Sequence, residues 1–167
     1  MLQTLLTPAG EHLPDVPWQV YPRPQFRRDR WLNLNGWWDF AVTEGDAPPA
    51  RFPGKIRLPF CPESVLSGVG QHFAEGSALW YRRTVTLPDD WAGAQLALHI
   101  GAADQVLDAW VNGMAVGSHT GGYEAMTFGV TGIRSGQTLL DLFRQADRGL
   151  YAGKENGRDQ VVRAQPA

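Results

Sequence analysis

The sequence predicts a mainly β domain of the sandwich or jelly-roll type, and three observations carry that prediction. Residues 95–101 alternate strictly, with Leu96, Leu98 and Ile100 on one face and Gln95, Ala97 and His99 on the other, the period of two that marks a half-buried strand. Asn112-Gly113 separates two β-like runs, 105–111 and 114–118, and both residues tolerate the positive φ of a type I′ hairpin turn. From 31 to 130 the candidate strands are short and closely spaced with no helical pattern between them, which argues against a parallel α/β sheet.

Taken in order, the elements begin with a proline-rich stretch. Pro8, Pro14, Pro17, Pro22 and Pro24 withhold backbone donors from residues 1–29 and disfavour both helix and interior strand, so this segment is expected to be an extended arm on the domain surface. Strands are expected at 37–42, 55–58, 79–87, 95–101, 105–111, 114–118 and 126–130. In the first of them Trp37, Trp38 and Phe40 bring large apolar groups to the inter-sheet core, and Gly36 frees the chain to turn ahead of them. Gly121-Gly122 lets a loop lie close against its neighbour.

After Gly132 the pattern changes. Leu139, Leu140, Leu142, Phe143, Ala146, Leu150 and Tyr151 recur at spacings of three and four, which predicts an amphipathic helix over 138–156. Thr138 and Asp141 stand at capping-box spacing, Gly157 is the expected stop, and a short strand follows at 161–162. A boundary is expected at 128–134.

Composition narrows the function. A chain of 167 residues holds one domain with a sizeable core, whereas a (β/α)₈ barrel needs roughly 200 residues or more. Fifteen basic against seventeen acidic residues leave no electrostatic footprint for nucleic acid or an anionic membrane. The single cysteine, Cys61, admits no internal disulfide. The first twenty residues lack a cationic start and an apolar run, and no stretch approaches the ~20 apolar residues of a bilayer span, so a soluble cytoplasmic protein is expected. His12, His72, His99 and His119 show no metal spacing, and neither a P-loop nor a GxGxxG occurs, so no cofactor and no metal are expected.

Five stretches carry a family resemblance: NLNGWWDF at 33–40, IRLPFCPESVLSGV at 56–69, LWYRRTVTLP at 79–88, LALHIGAADQVLDAWVNG at 96–113 and VGSHTGGYEAMTFGVT at 116–131. In that order and spacing they resemble the N-terminal sugar-binding domain of glycoside hydrolase family 2, the family of β-galactosidases, β-glucuronidases and β-mannosidases. The resemblance implies a galactose-binding-like β-sandwich over residues 30–130, a carbohydrate-associated module that buttresses a catalytic barrel and is inactive alone. Glycoside hydrolysis needs two carboxylates across one bond, and the family keeps that pair in its barrel. Glu63, Glu75, Asp104, Asp108 and Glu124 read as isolated acids on loops or strands. A weak carbohydrate ligand is the expected partner. Trp80, Trp110 and Tyr123 are the aromatic candidates for stacking on a sugar, although such rings more often belong to a core. In the HTGGY loop, His119 and Tyr123 are the expected substrate-facing residues.

The stretch TLLDLFRQADRGLYAGKENGRDQVV at 138–162 resembles the end of a GGDEF diguanylate cyclase domain, matching it at Ala146, Asp147, Leu150, Tyr151, Lys154, Gly157 and Arg158. The signature turn of that domain is not in the sequence. Two partial resemblances imply a fusion, with residues 131–167 as a GGDEF-like fragment and the switch between Met126 and Gly129, where the family 2 pattern has Asp at position 129. The sandwich is then expected to be incomplete, short of a closing strand, with an unpaired sheet edge that templates self-association. The alternatives are a diguanylate-cyclase-related signalling fragment and a non-functional hybrid of the two.

Overall fold

The computed structural model describes residues 6–74, 76–131 and 136–145. The chain divides into two compact units, Met1–Trp38 with Gly54–His72, and Asp39–Pro53 with Phe73–Ala167.

In the first unit the proline-rich stretch is tied down by polar side chains. Asn33 Nδ2 donates to the Trp18 carbonyl at 2.9 Å and Asn35 Nδ2 to the Pro17 carbonyl at 3.0 Å, so each asparagine satisfies a carbonyl some fifteen or more residues upstream. Trp18 packs on Phe60 and Tyr21 on Trp31, with ring centroids 5.4 and 5.0 Å apart. One turn of helix, α1 (Pro8–Glu11), departs from the purely extended arm expected of the prolines. Thr7 caps it by accepting from the Gly10 N–H, and Pro8 stands at the first position, where no intrahelical donor is needed. Downstream, Arg57 lies over the Trp37 ring at 5.1 Å and donates through Nε to the Leu66 carbonyl. Ser67 is fully buried, and its hydroxyl is satisfied by the Pro62 and Ser64 carbonyls and the Val69 N–H.

Eight strands are described: β1 (Gly36–Glu44), β2 (Gly54–Leu58), β3 (Ser77–Leu87), β4 (Leu96–Ile100), β5 (Val106–Val111), β6 (Met114–Thr120), β7 (Met126–Val130) and β8 (Gly136–Gln145). The first seven coincide with the strands expected from the sequence to within a few residues. β1 runs from the first unit into the second, and from Asp39 onward it pairs antiparallel with β3. The second unit carries the consecutive strands β1-β3-β8-β5-β6 of one antiparallel sheet and a separate pair, β4-β7. The protein is thus mainly β, as its local patterns require.

The alternation read in the sequence is the alternation of burial. On β5, Leu107, Ala109 and Val111 are buried while Val106, Asp108 and Trp110 are only partly so. On β7, Met126, Phe128 and Val130 are buried between exposed Thr127 and Gly129. Gly117 of β6 sits opposite Ala109 and beneath the Phe128 ring, where a Cβ would overlap the ring carbons. That glycine gives β7 its close approach to β6 and sets the buried face of the larger sheet. The β5-β6 turn has φ of 51° at Asn112 and 78° at Gly113, as the Asn-Gly pair predicts. A Cβ on Gly122 would come within 2.5 Å of the Asp104 carboxylate, so the glycine pair does fold against its neighbour.

The C-terminal expectation fails over 138–145. Those residues are strand, not helix, and β8 lies between β3 and β5, pairing with both. A strand therefore stands where the closing strand was expected to be missing, paired with β3 on one edge and β5 on the other. The physical reason is that β3 and β5 each present a row of backbone donors and acceptors to the space between them, and one strand satisfies both rows at once. A local spacing of three and four contributes a few tenths of a kcal/mol per residue and yields to that demand. The remainder of the expected helix, 146–156, and the strand at 161–162 lie outside the described residues.

Candidate functional site

The register of β3, β8 and β5 lines up chemistry that lies far apart in the sequence. Arg82 on β3 is the direct partner of Asp141 on β8, which is in turn the partner of Trp110 on β5. One pair along, Trp80 and Asp108 both partner Phe143. Direct partners in antiparallel strands share a face. Trp80, Arg82, Asp108, Trp110 and Asp141 therefore share the face opposite Leu107, Ala109 and Val111.

There lies an open pocket of about 440 Å³, walled by Asp46, Pro48, Pro49 and Phe52 from the loop after β1 together with Trp80, Arg82, Asp108, Trp110, Gly113 and Asp141. The size falls within the ordinary range of small-ligand clefts. Trp80 is the floor: it is 6% exposed, packs with Ala41 and Ala78, and stacks toward Trp110 with centroids 6.0 Å apart and planes at 26°. Its indole N–H donates to Thr43 Oγ1 at 2.9 Å. The Arg82 guanidinium is held twice over. Nε and Nη2 donate to the two Asp141 carboxylate oxygens at 2.6 and 3.3 Å, and the guanidinium carbon lies 4.4 Å from the Phe52 ring centroid.

Asp108 was read as an isolated acid, and it is not. Its burial and then the charge of Asp46 both push its carboxyl above the ordinary value of 3.8. A carboxyl raised in the folded state binds its proton more tightly there than in the unfolded chain. Stability is therefore lost as pH rises from the ordinary carboxylate range through the raised value, with Asp46, Arg82 and Asp141 as the charged groups around it. Asp108→Asn is expected to be more stable than the parent near pH 7, and to lose that advantage as pH falls toward 4. Urea midpoints of the two proteins across that range check it; a variant weaker than the parent near neutrality would show that the Asp108 charge is favourably compensated.

The pocket brings together three of the sequence candidates, Trp80, Trp110 and Asp108. The HTGGY residues are elsewhere. Tyr123 is fully exposed, and His119, toward the end of β6 and opposite Leu107, is absent from the pocket wall. The His119 Nε2 is buried with no hydrogen-bond partner among the described residues. Among the described residues no three His, Cys, Asp or Glu side chains gather as metal ligands would, and no helix is long and apolar enough to cross a membrane.

Set against known proteins, the chain matches no family model. Its similarity to individual proteins is nonetheless consistent. Over 121 residues, 62% of the chain, it is 32% identical to the β-glucuronidase of Canis lupus familiaris, of which it spans 18%. The likeness is to β-glucuronidases. A Faecalibacterium prausnitzii β-glucuronidase superimposes with a TM-score of 0.59 and 22% identity, covering 84% of this chain and 29% of that one. A Bifidobacterium dentium β-glucuronidase, solved with coumarin-3-O-glucuronide, superimposes with a TM-score of 0.55 and 22% identity over 76% of this chain and 26% of its own. The chain is therefore similar to part of a β-glucuronidase in sequence, and it shares the fold of part of these enzymes. The chain spans less than a third of the length of each of these relatives.

Arg82–Asp141 is what the sequence concealed. Asp141 sat at capping-box spacing in an expected helix, so its cross-strand role had no local signal. Trp80 with Arg82, and Asp108 with Trp110, do stand two apart on their strands, which is the parity that places each pair on one face.

Proposed function

We propose that this chain is the carbohydrate-associated β-sandwich module of a glycosidase of the β-glucuronidase kind, a supporting domain that does not itself hold the reacting acid and nucleophile. The observation that carries the proposal is the joint one of sequence and fold: a 32% match to a β-glucuronidase over 121 residues, in a chain whose strands form two antiparallel sheets. In this reading the sandwich extends from residue 30 through β8, so that residues 136–145 belong to it and the boundary expected near 130 moves past Gln145. The GGDEF-like resemblance then rests on residues beyond 145. Tyr123, fully exposed in the loop after β6, and His119, partly buried near the end of that strand, are proposed to lie toward a sugar presented at the rim of a neighbouring catalytic part.

The chemistry of the pocket sets the test of the non-catalytic reading. Hydrolysis of a glycoside needs one carboxylate ready to donate a proton and a second ready to attack or to activate water. Of the three aspartates in the pocket, Asp141 is committed to Arg82, which leaves Asp108 and the nearby Asp46 as the pair that a catalytic reading would require. The purified 167-residue chain is expected to hydrolyse an aryl β-glucuronide no faster than buffer. Turnover that disappears in Asp108→Asn would overturn the proposal and make the pocket an active site.

A further inference from the structure

We propose that the pocket over β3, β8 and β5 is a receptor for an organic cation, an ammonium or guanidinium group carried on a short apolar stem. The proposal goes beyond the glycosidase reading and does not depend on it, because it rests on the pocket's own residues.

Three features of the wall select that chemistry. The first is charge: among the described residues of the wall, Asp46, Asp108 and Asp141 are set against Arg82. Arg82 is already engaged by both Asp141 oxygens, which leaves Asp46 and Asp108 as the acceptors that a ligand would meet. An anion entering here meets two carboxylates, and the cation among the described residues of the wall is already paired with Asp141, so a uronate is disfavoured. The second is the aromatic lining. Phe52, Trp80 and Trp110 offer ring surface beside those carboxylates, and a cation placed over a ring is attracted by its quadrupole. The pocket already holds one guanidinium in this way, that of Arg82 over Phe52 at 4.4 Å. The third is the state of its donors. The Trp80 indole N–H is used by Thr43, and the Nε–H and one Nη2 N–H of Arg82 by Asp141, while Asp46 and Asp108 offer carboxylate acceptors. A ligand must therefore bring the donors, and an ammonium or guanidinium brings three to five with a compensating charge.

The walls are suited to waiting in this arrangement. Pro48 and Pro49 stiffen the loop that carries Asp46 and Phe52, and Asp108, Trp110 and Asp141 stand on paired strands, so little ordering is required on binding. Such a group could come from a free amine or from a lysine or arginine side chain of a polypeptide, and the two share this recognition.

The test titrates the full 167-residue chain at low salt near pH 7 with butylguanidinium, with butylammonium and with a capped Gly-Lys-Gly peptide, reading tryptophan emission and calorimetric heat. Methyl β-glucoside and glucuronate serve as the neutral and anionic probes. Saturable binding of the cations, weakened by added salt and at least about tenfold tighter than that of either sugar, is expected. The peptide binding more tightly than the two small cations would assign a polypeptide source, and the reverse a free amine. Asp46→Asn and Asp108→Asn should each weaken binding about tenfold. Asp46 is an exposed loop residue, and the urea midpoint of each variant, measured alongside, separates lost binding from lost folding. Equal or tighter binding of the glucoside or glucuronate, or full affinity in the double variant, overturns the proposal.

Discussion

Leu140→Pro is expected to abolish cooperative unfolding of the sandwich and to leave the chain sensitive to protease throughout 77–130. Leu140 lies near the middle of β8, 6% exposed, with Arg83 of β3 as its partner on one side and Val111 of β5 on the other. Proline there removes a backbone N–H from the ladder and sets its ring against a strand paired on both edges, which a central strand does not accommodate. Loss of the buried leucine side chain adds ~2 kcal/mol or more. Together these approach the whole stability of a small domain, ~5–15 kcal/mol. Amide hydrogen exchange separates this from a local effect. In the parent, residues 136–145 should be protected as strongly as 79–87 and 106–111; if they exchange freely while β3 and β5 stay protected, β8 is not the strand that closes the sheet.

The second large effect is at the pocket floor. Trp80→Ala should destabilise the protein by about 3–5 kcal/mol, because it empties a buried indole volume that the surrounding strands cannot refill. Ala41 and Ala78, the buried neighbours of Trp80, are already small, and the partly buried Phe52 and Trp110 would be left without their common support. Trp80→Phe keeps much of that volume and loses the hydrogen bond to Thr43, a loss of about 1 kcal/mol. The ratio of the two is the informative quantity, and chemical denaturation of both variants supplies it. A Trp80→Ala cost no larger than that of Trp80→Phe would mean that the indole is held by its N–H alone and that the pocket has no packed floor.

The sequence by itself determined the β-strands whose signals are local. Alternation at 95–101 and 126–130 fixes which side chains are buried whatever the strands pair with, since a period of two puts every second residue on one face. Asn112-Gly113 fixed the β5-β6 hairpin, because two consecutive positive φ values are cheap at those residues and at few others. The five family-like stretches carried the fold class further than periodicity could. Tertiary structure alone decided β8 and the pocket. At 138–145 the leucines and Phe143 fit a helical stripe, and the demand that made them a strand came from two rows of unpaired backbone on β3 and β5, supplied by residues some thirty to sixty positions away. The pocket is non-local for the same reason: Asp46, Arg82, Asp108 and Asp141 have no common sequence spacing, and they meet because β8 inserts between strands distant in the chain and sets Asp141 between Arg82 and Trp110. Local pattern specifies which face of a strand is apolar; only the order in which strands pair specifies what stands beside each polar group on the other face.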